Sequence, residues 1–204
     1  IGYLSSDDLI YPEAVKKLVS ILEANRDAVC VYPDSDLIDI NSKVIKRNVC
    51  REFNIEDLIV RQECYIGPGA LFRRDAFNAI GGWNPTLKLA PDREFWMRLA
   101  GRGQIVFCKE TLAGYRMHPQ SISYKDVSEE VSSEYIQVLD RYFEGQMGVP
   151  LLSIIKRRDE AYAHATLIIA RNCLRGGQFR RGMEHYRKAC DLYPPFGSVK
   201  NKAK

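Results

Sequence analysis

Long apolar runs are missing from this 204-residue sequence. The longest, such as Ala28-Val29-Cys30-Val31-Tyr32 and Thr166-Leu167-Ile168-Ile169-Ala170, fall far short of the roughly 20 residues that a spanning helix requires, so no transmembrane helix is expected. Cysteine is sparse: Cys30, Cys50, Cys64, Cys108, Cys173 and Cys190 form no C-x-x-C pair and are too thinly spread to staple a domain of this size. Most sit in apolar strings, where a thiol behaves as a small hydrophobe, and the reading is a reducing compartment. The opening Ile1-Gly2-Tyr3-Leu4 has no Met, no basic stretch and no signal-type apolar segment. It reads like the inside of a strand, and the sequence is expected to open in the middle of a domain. What is present is ordinary for a soluble globular fold. The 46% hydrophobic content excludes a disordered tail or a collagen-like fibre, and the length allows one full domain with an appendage.

The net charge of +4 is unevenly spread. Residues 1–140 hold 17 basic and 21 acidic residues, and 141–204 hold the other 13 and 5, giving −4 and +8. A basic appendage of this kind fits either an acidic partner or anionic membrane surface, or simply a solvated helical face.

The pattern along the chain is α/β first and helical afterwards. Val15, Leu18, Val19 and Leu22 follow Pro12 at helical spacing, predicting a helix over about 12–25. Ala28–Tyr32 reads as a buried strand, and Asp36–Ile40 with Lys43–Lys46 as a hairpin through Asn41-Ser42. A short helix over 53–61, a strand over 70–72 and a helix over 74–80 closed by Gly81-Gly82 come next. Pro91-Asp92-Arg93-Glu94 opens a helix through Ala100, and strands are expected over 104–108 and 111–117. From about 126 to 193 the period is helical, with breaks near 145–150 and 176–177. Gly177, Phe179, Ala189 and Pro194 fall where a tetratricopeptide-type hairpin over about 161–194 would place them, but a single unit packs on something else and does not form an array.

Three constellations carry chemistry. In Ser5-Ser6-Asp7-Asp8, paired carboxylates between a strand and a helix suit a hard divalent cation, or else serve as turn and capping residues. In Pro91-Asp92-Arg93-Glu94-Phe95-Trp96-Met97-Arg98-Leu99, Asp92 sits at a positive helix end, where an ionised carboxylate can act as a general base or as a plain cap; Phe95, Trp96 and Leu99 read as core. In Gly114-Tyr115-Arg116-Met117-His118-Pro119, Arg116 can grip a phosphate and a neutral His118 can complete a metal site, or both are surface residues. His164 and His185 lie on helices and read as decoration.

In order and spacing these motifs resemble the family 2 glycosyltransferases of the GT-A fold. The resemblance rests on Tyr3–Pro12, on Gly67-Pro68-Gly69-Ala70-Leu71-Phe72 followed by Gly81-Gly82-Trp83-Asn84-Pro85, on Asp92–Leu99, and on Tyr115-Arg116-Met117-His118 followed by Ser121-Ile122-Ser123. It implies a GT-A-type domain over 1–124, lacking its first βαβ portion, with a helical extension over 125–204. It also implies metal-assisted, inverting transfer of a sugar (the hexosyltransferase type) from a nucleotide-diphospho-sugar to an acceptor hydroxyl. Asp7 and His118 would hold Mn²⁺ or Mg²⁺, while Ser6, Asp8, Arg116 and His118 would face the donor diphosphate. Gly67, Gly69, Trp83 and Glu94 would shape the acceptor region, and Asp92 would be the catalytic base. Ser5 stands where the family often has Asp. The implied partners are the donor and a glycan or lipid-linked acceptor, with no nucleic acid. The implied place is the bacterial cytoplasm, peripheral at the inner membrane face through the basic tail. Two other readings stand beside this one: an inactive glycosyltransferase-like binding module acting through its basic tail, and a nucleotidyltransferase making sugar nucleotides.

Overall fold

The apolar run at Ala28 becomes the start of a central strand. A computed structural model describes residues 1–118 and 127–198. These divide into two compact units that interleave along the chain.

The first unit comprises Ile1–Asn54, Cys64–Trp83 and the described part of Arg98–Lys125. Its sheet is built on β2 (Ala28–Ile38), flanked by β5 (Gln104–Arg116) in parallel and by β3 (Val44–Lys46) and β4 (Leu71–Phe72) antiparallel. β1 (Leu9–Ile10) pairs antiparallel with the outer side of β5, with Leu9 opposite Gly114. A parallel central strand is covered on both faces and therefore reads as a continuous apolar run. Ala28–Tyr32 fits that rule, and every one of these residues is buried. Helix α1 (Ala14–Ala24) lays Ala14, Leu18 and Leu22 against Ala28, Val31, Cys108 and Leu112 to form the core.

Three expectations need correcting. Ala28–Tyr32 and the hairpin arm expected over Asp36–Ile40 are one strand, β2, which ends at Ile38. The opening Ile1–Tyr3 does lie antiparallel to Ala70–Phe72, the Phe72 amide donating to the Ile1 carbonyl at 2.8 Å and the Tyr3 amide to the Ala70 carbonyl at 3.2 Å. That ladder amounts to one bridge, Gly2 to Leu71, and the first regular strand begins at Leu9, after a turn in which the Asp8 amide donates to the Ser5 carbonyl. The strands expected at 104–108 and 111–117 are one strand. Cys108 pairs with Pro33 and Thr111 with Asp34, so Lys109 and Glu110 are absorbed as an irregularity in the ladder. Pro33 offers no amide there, and the Asp34 carboxylate takes the Ser35 and Cys50 amides at 2.8 and 3.0 Å.

The second unit comprises Ile55–Glu63, Asn84–Met97 and the described residues after 126. It contains α2 (Ile55–Ile59), most of α4 (Pro91–Ala100), α5 (Glu129–Ser132), α6 (Glu134–Phe143), α7 (Leu152–Ile155), α8 (Arg158–Arg175) and α9 (Phe179–Leu192), then a 3-10 turn at Pro194–Gly197. The short helix α3 (Arg74–Ala79) belongs to the sheet unit. Helices α8 and α9 form a hairpin that turns at Gly177, whose φ of 73° favours glycine. Gly182 lets them approach closely, since a Cβ there would lie 2.6 Å from Leu174 Cγ. Among the described residues, no helix is long and apolar enough to cross a membrane.

Candidate functional site

The antiparallel pairing of β1 with β5 sets the acidic turn beside the end of β5. The Arg116 amide donates to Asp8 Oδ1 at 2.9 Å, and the Ser5 hydroxyl donates to the same carboxylate. Burial pushes the Asp8 carboxyl above the usual carboxylate range; the Arg116 amide opposes this and the neighbouring Asp7 charge adds to it. Asp7 turns the other way. Its Oδ2 lies 3.0 Å from His118 Nε2, and the two side chains are 38% and 17% exposed. Ser6 is exposed.

The Arg116 side chain is engaged with the protein. Its Nε donates to the Asp7 carbonyl at 2.7 Å, Nη1 to the carbonyls of Asp39 and Ile40 at 2.6 and 3.1 Å, and Nη2 to Ser42 Oγ at 2.9 Å. This fork ties the acidic turn to the turn between β2 and β3. That turn is itself braced by Asp39 Oδ1, which accepts the Asn41 and Lys43 amides, and it closes at Ser42 in left-handed backbone. The sequence placed Asp39 in a hairpin arm and Ser42 in its turn, but gave neither a part in holding the acidic turn. The only signal available was the Asx-turn spacing of Asp39 with Asn41.

The loop Gly67–Gly69 runs against the polar half of β2. A Cβ at Gly67 would lie 2.6 Å from Cys50 Sγ and 3.0 Å from Ser35 Oγ, and Gly69 holds a φ of 84°. Half-buried Trp83 sits over Tyr3 with ring centroids 5.2 Å apart, and the Tyr3 hydroxyl is 3.3 Å from Ser5 Oγ. Trp83, Tyr3, Ser5 and Asp8 thus form one chain of contacts. Beside them Asn48 joins Asp34 and Thr111 through its amide nitrogen, at 2.9 Å each.

Asp92 and Glu94 belong to the helical unit. Asp92 Oδ1 accepts the Arg93 amide at 2.8 Å in the first turn of α4. Glu94 is fully buried and faces Arg141 of α6 at 3.2 Å. Trp96 is core, 3% exposed, edge-on to Phe95. The start of α4 is held by a residue the sequence did not flag. The carboxylate of Glu134, 6% exposed, accepts the amides of Lys88, Leu89 and Ala90, at 2.6 Å for Leu89. Arg93 adds a bond to the Gln62 carbonyl and lies 5.2 Å over the Tyr135 ring. The structure therefore brings Asp7, Asp8, Arg116 and His118 together in the sheet unit, and positions Asp92 with Glu94 in the helical one.

An oxygen and a nitrogen ligand 3.0 Å apart and open to solvent suit a divalent cation that keeps positions for other ligands. Asp8, turned inward, supports the turn instead.

No family model matches the chain. It is 27% identical to a protein of Rickettsia felis and 26% identical to one of Rickettsia conorii, each over 201 residues, and both are named uncharacterized glycosyltransferase. The similarity is to glycosyltransferases. Each match takes in 94% of this chain and 31% of the relative, so the chain spans about a third of the length of the curated relatives it matches.

Proposed function

We propose that this chain is part of an inverting, metal-assisted glycosyltransferase of the GT-A type, moving a sugar from a nucleotide-diphospho-sugar to an acceptor hydroxyl on a glycan or lipid-linked substrate. The observation that carries the reading is the Asp7–His118 pair beside a turn clamped by Arg116. The names of the relatives support it.

In this reading Asp7 Oδ2 and His118 Nε2 hold Mn²⁺ or Mg²⁺, with the imidazole neutral at that nitrogen. When bound, the cation supplies positive charge opposite the departing diphosphate. Arg116 does not touch the donor through its engaged fork. It keeps the Asp7 backbone still, so that the carboxylate does not have to be reorganised when the donor arrives. Asp92 takes the acceptor's proton. Its Oδ1 holds the Arg93 amide, which leaves Oδ2 as the oxygen that would receive the proton. The attacking oxygen enters opposite the leaving diphosphate, so the configuration inverts.

The test uses the full-length protein that contains this chain. Release of nucleoside diphosphate is followed with UDP-, GDP- and dTDP-sugars, with Mn²⁺, with Mg²⁺ and with EDTA. The expected result is metal-dependent release, lost in Asp7→Asn, and a kcat lowered by about 10²–10⁴ in Asp92→Asn with donor binding kept. Release that persists in EDTA removes the metal role, and near-parental turnover in Asp92→Asn removes the base.

A further inference from the structure

Away from the acidic turn, three helices of the second unit each contribute one ligand-type side chain to a single point. Glu129 comes from the first turn of α5, Cys173 from near the end of α8 and His185 from the middle of α9. A carboxylate oxygen, the thiol sulfur and an imidazole nitrogen lie within 4.8 Å of one another. We propose that Glu129, Cys173 and His185 form a three-ligand zinc site that pins the α8–α9 hairpin to α5.

The donor chemistry suits this metal. Zinc takes thiolate, imidazole and carboxylate together in tetrahedral geometry, whereas Mg²⁺ and Ca²⁺ want oxygen alone. Cys173 is 1% exposed, and within the core its sulfur has a carboxylate oxygen and an imidazole nitrogen for neighbours. The geometry is close to what binding needs. His185 Nε2 is 2.9 Å from Glu129 Oε1. Zinc bonds of about 2.0 Å to each would set these atoms about 3.3 Å apart, an opening of a few tenths of an ångström. A tetrahedral zinc would set the sulfur about 3.5 Å from each of these atoms, and all three already lie within 4.8 Å of one another.

The outer surroundings fit as well. Ligating carboxylates are usually held by a further hydrogen bond that orients them. Glu129 has one: Arg181 Nε donates to Oε2 at 2.9 Å, leaving Oε1 to point at His185. Asn172, next to Cys173, donates to Ser132 Oγ at 3.0 Å and fixes α8 against α5 at the same level. His185 and Glu129 are 21% and 29% exposed, so the fourth position is open to a water from the surface side. Nothing in this cluster overlaps the acidic turn.

The probe is Co²⁺ titrated into chelator-treated protein. The expected result is a sulfur-to-cobalt charge-transfer band that saturates at one equivalent and is displaced by one equivalent of Zn²⁺. Cys173→Ala removes the band, and Arg181→Ala weakens binding about 10-fold. Because Cys173 is buried, the surface-accessible His185→Gln is made alongside it, with far-ultraviolet circular dichroism showing both folded, and it also lowers the affinity about 10-fold or more. His118→Ala leaves the band unchanged, which separates this site from the proposed catalytic metal. Absence of a saturable band overturns the proposal. So does a band of unchanged affinity in Cys173→Ala, which would put the metal on another cysteine.

Discussion

Replacing Glu134 by alanine is the sharpest test of how the start of α4 is held. The carboxylate accepts the amides of Lys88, Leu89 and Ala90, and Ala90 is fully buried. Each truncated acceptor costs in proportion to what the donor can find in its place. The Ala90 amide finds nothing, and an unsatisfied buried donor costs about 1–3 kcal/mol. The Leu89 amide, half-buried, loses a charge-assisted bond of about 1.5 kcal/mol and recovers part of it from water, a net loss of about 1 kcal/mol. The exposed Lys88 amide turns to water at almost no cost. The sum is about 3 kcal/mol for Glu134→Ala. Glu134→Gln keeps one acceptor oxygen and loses about half as much. Urea unfolding followed by the fluorescence of Trp96, which sits on α4 itself, reads the difference. At a slope of about 2 kcal/mol per molar, the alanine midpoint falls by about 1.5 M and the glutamine midpoint by about half that. A shift below about 0.3 M for Glu134→Ala refutes the reasoning.

Three further outcomes follow from the sheet unit and the hairpin. Arg116→Lys cannot reach the carbonyls of Asp7 and Asp39 and the Ser42 hydroxyl from one ammonium, so Mn²⁺ affinity measured by electron paramagnetic resonance drops about 10–100-fold; wild-type affinity in this variant contradicts the clamp. Asp8→Asn raises Tm at pH 7 by on the order of 1–2 °C, because the half-buried carboxylate beside Asp7 disfavours its own charge. An acid whose folded pKa is raised destabilises fully above that pKa and not at all below its unfolded value, so the gain shrinks as pH falls through the carboxylate range; a gain that grows with acid is the opposite of what is expected. Gly182→Ala places a Cβ 2.6 Å from Leu174 Cγ and 3.2 Å from the Ala170 carbonyl. Overpacking of about 1–3 kcal/mol outweighs the roughly 1 kcal/mol of better helix propensity, and a stabilised variant in urea unfolding refutes the close approach.

Periodic elements were readable because their apolar residues repeat locally. Helix α1, the opening of α4 and the break at Gly176-Gly177 all announce themselves through spacing and punctuation. The continuous β5 was not, because its joining of Gln104–Cys108 to Thr111–Arg116 depends on β2 tolerating extra residues opposite Pro33 and Asp34. The same distinction runs through the site. Asp7, Asp8 and His118 could be singled out as residue types near one strand end. The hold on them comes through Asp39 and Ser42, whose part depends on the Arg116 fork reaching across more than 70 positions of chain. Glu134 was hidden for a similar reason, since a glutamate in the first turn of a helix ordinarily faces water.

Adjacent Asp7 and Asp8 show how much a single pairing decides. The two residues are chemically identical, and no local rule separates them. Once Leu9 sits opposite Gly114, the next amides of β5 face the acidic turn, and the Arg116 amide captures Asp8. The captured Asp8 is half-buried, and this loss of hydration raises its affinity for a proton against the pull of the Arg116 amide, while its neighbour is left turned outward against an imidazole. A carboxylate that has lost part of its hydration and repels a second one strengthens the demand for a cation at the outer residue, because a divalent charge there relieves both. The strain at Asp8 and the openness of Asp7 are therefore one device: the inner acid holds the turn and sharpens the field, and the outer acid is where a metal would be felt. Asp8→Asn separates the two contributions, since it should stabilise the fold while weakening Mn²⁺ binding at Asp7, and a variant that gains stability at parental metal affinity would show the two carboxylates to be uncoupled.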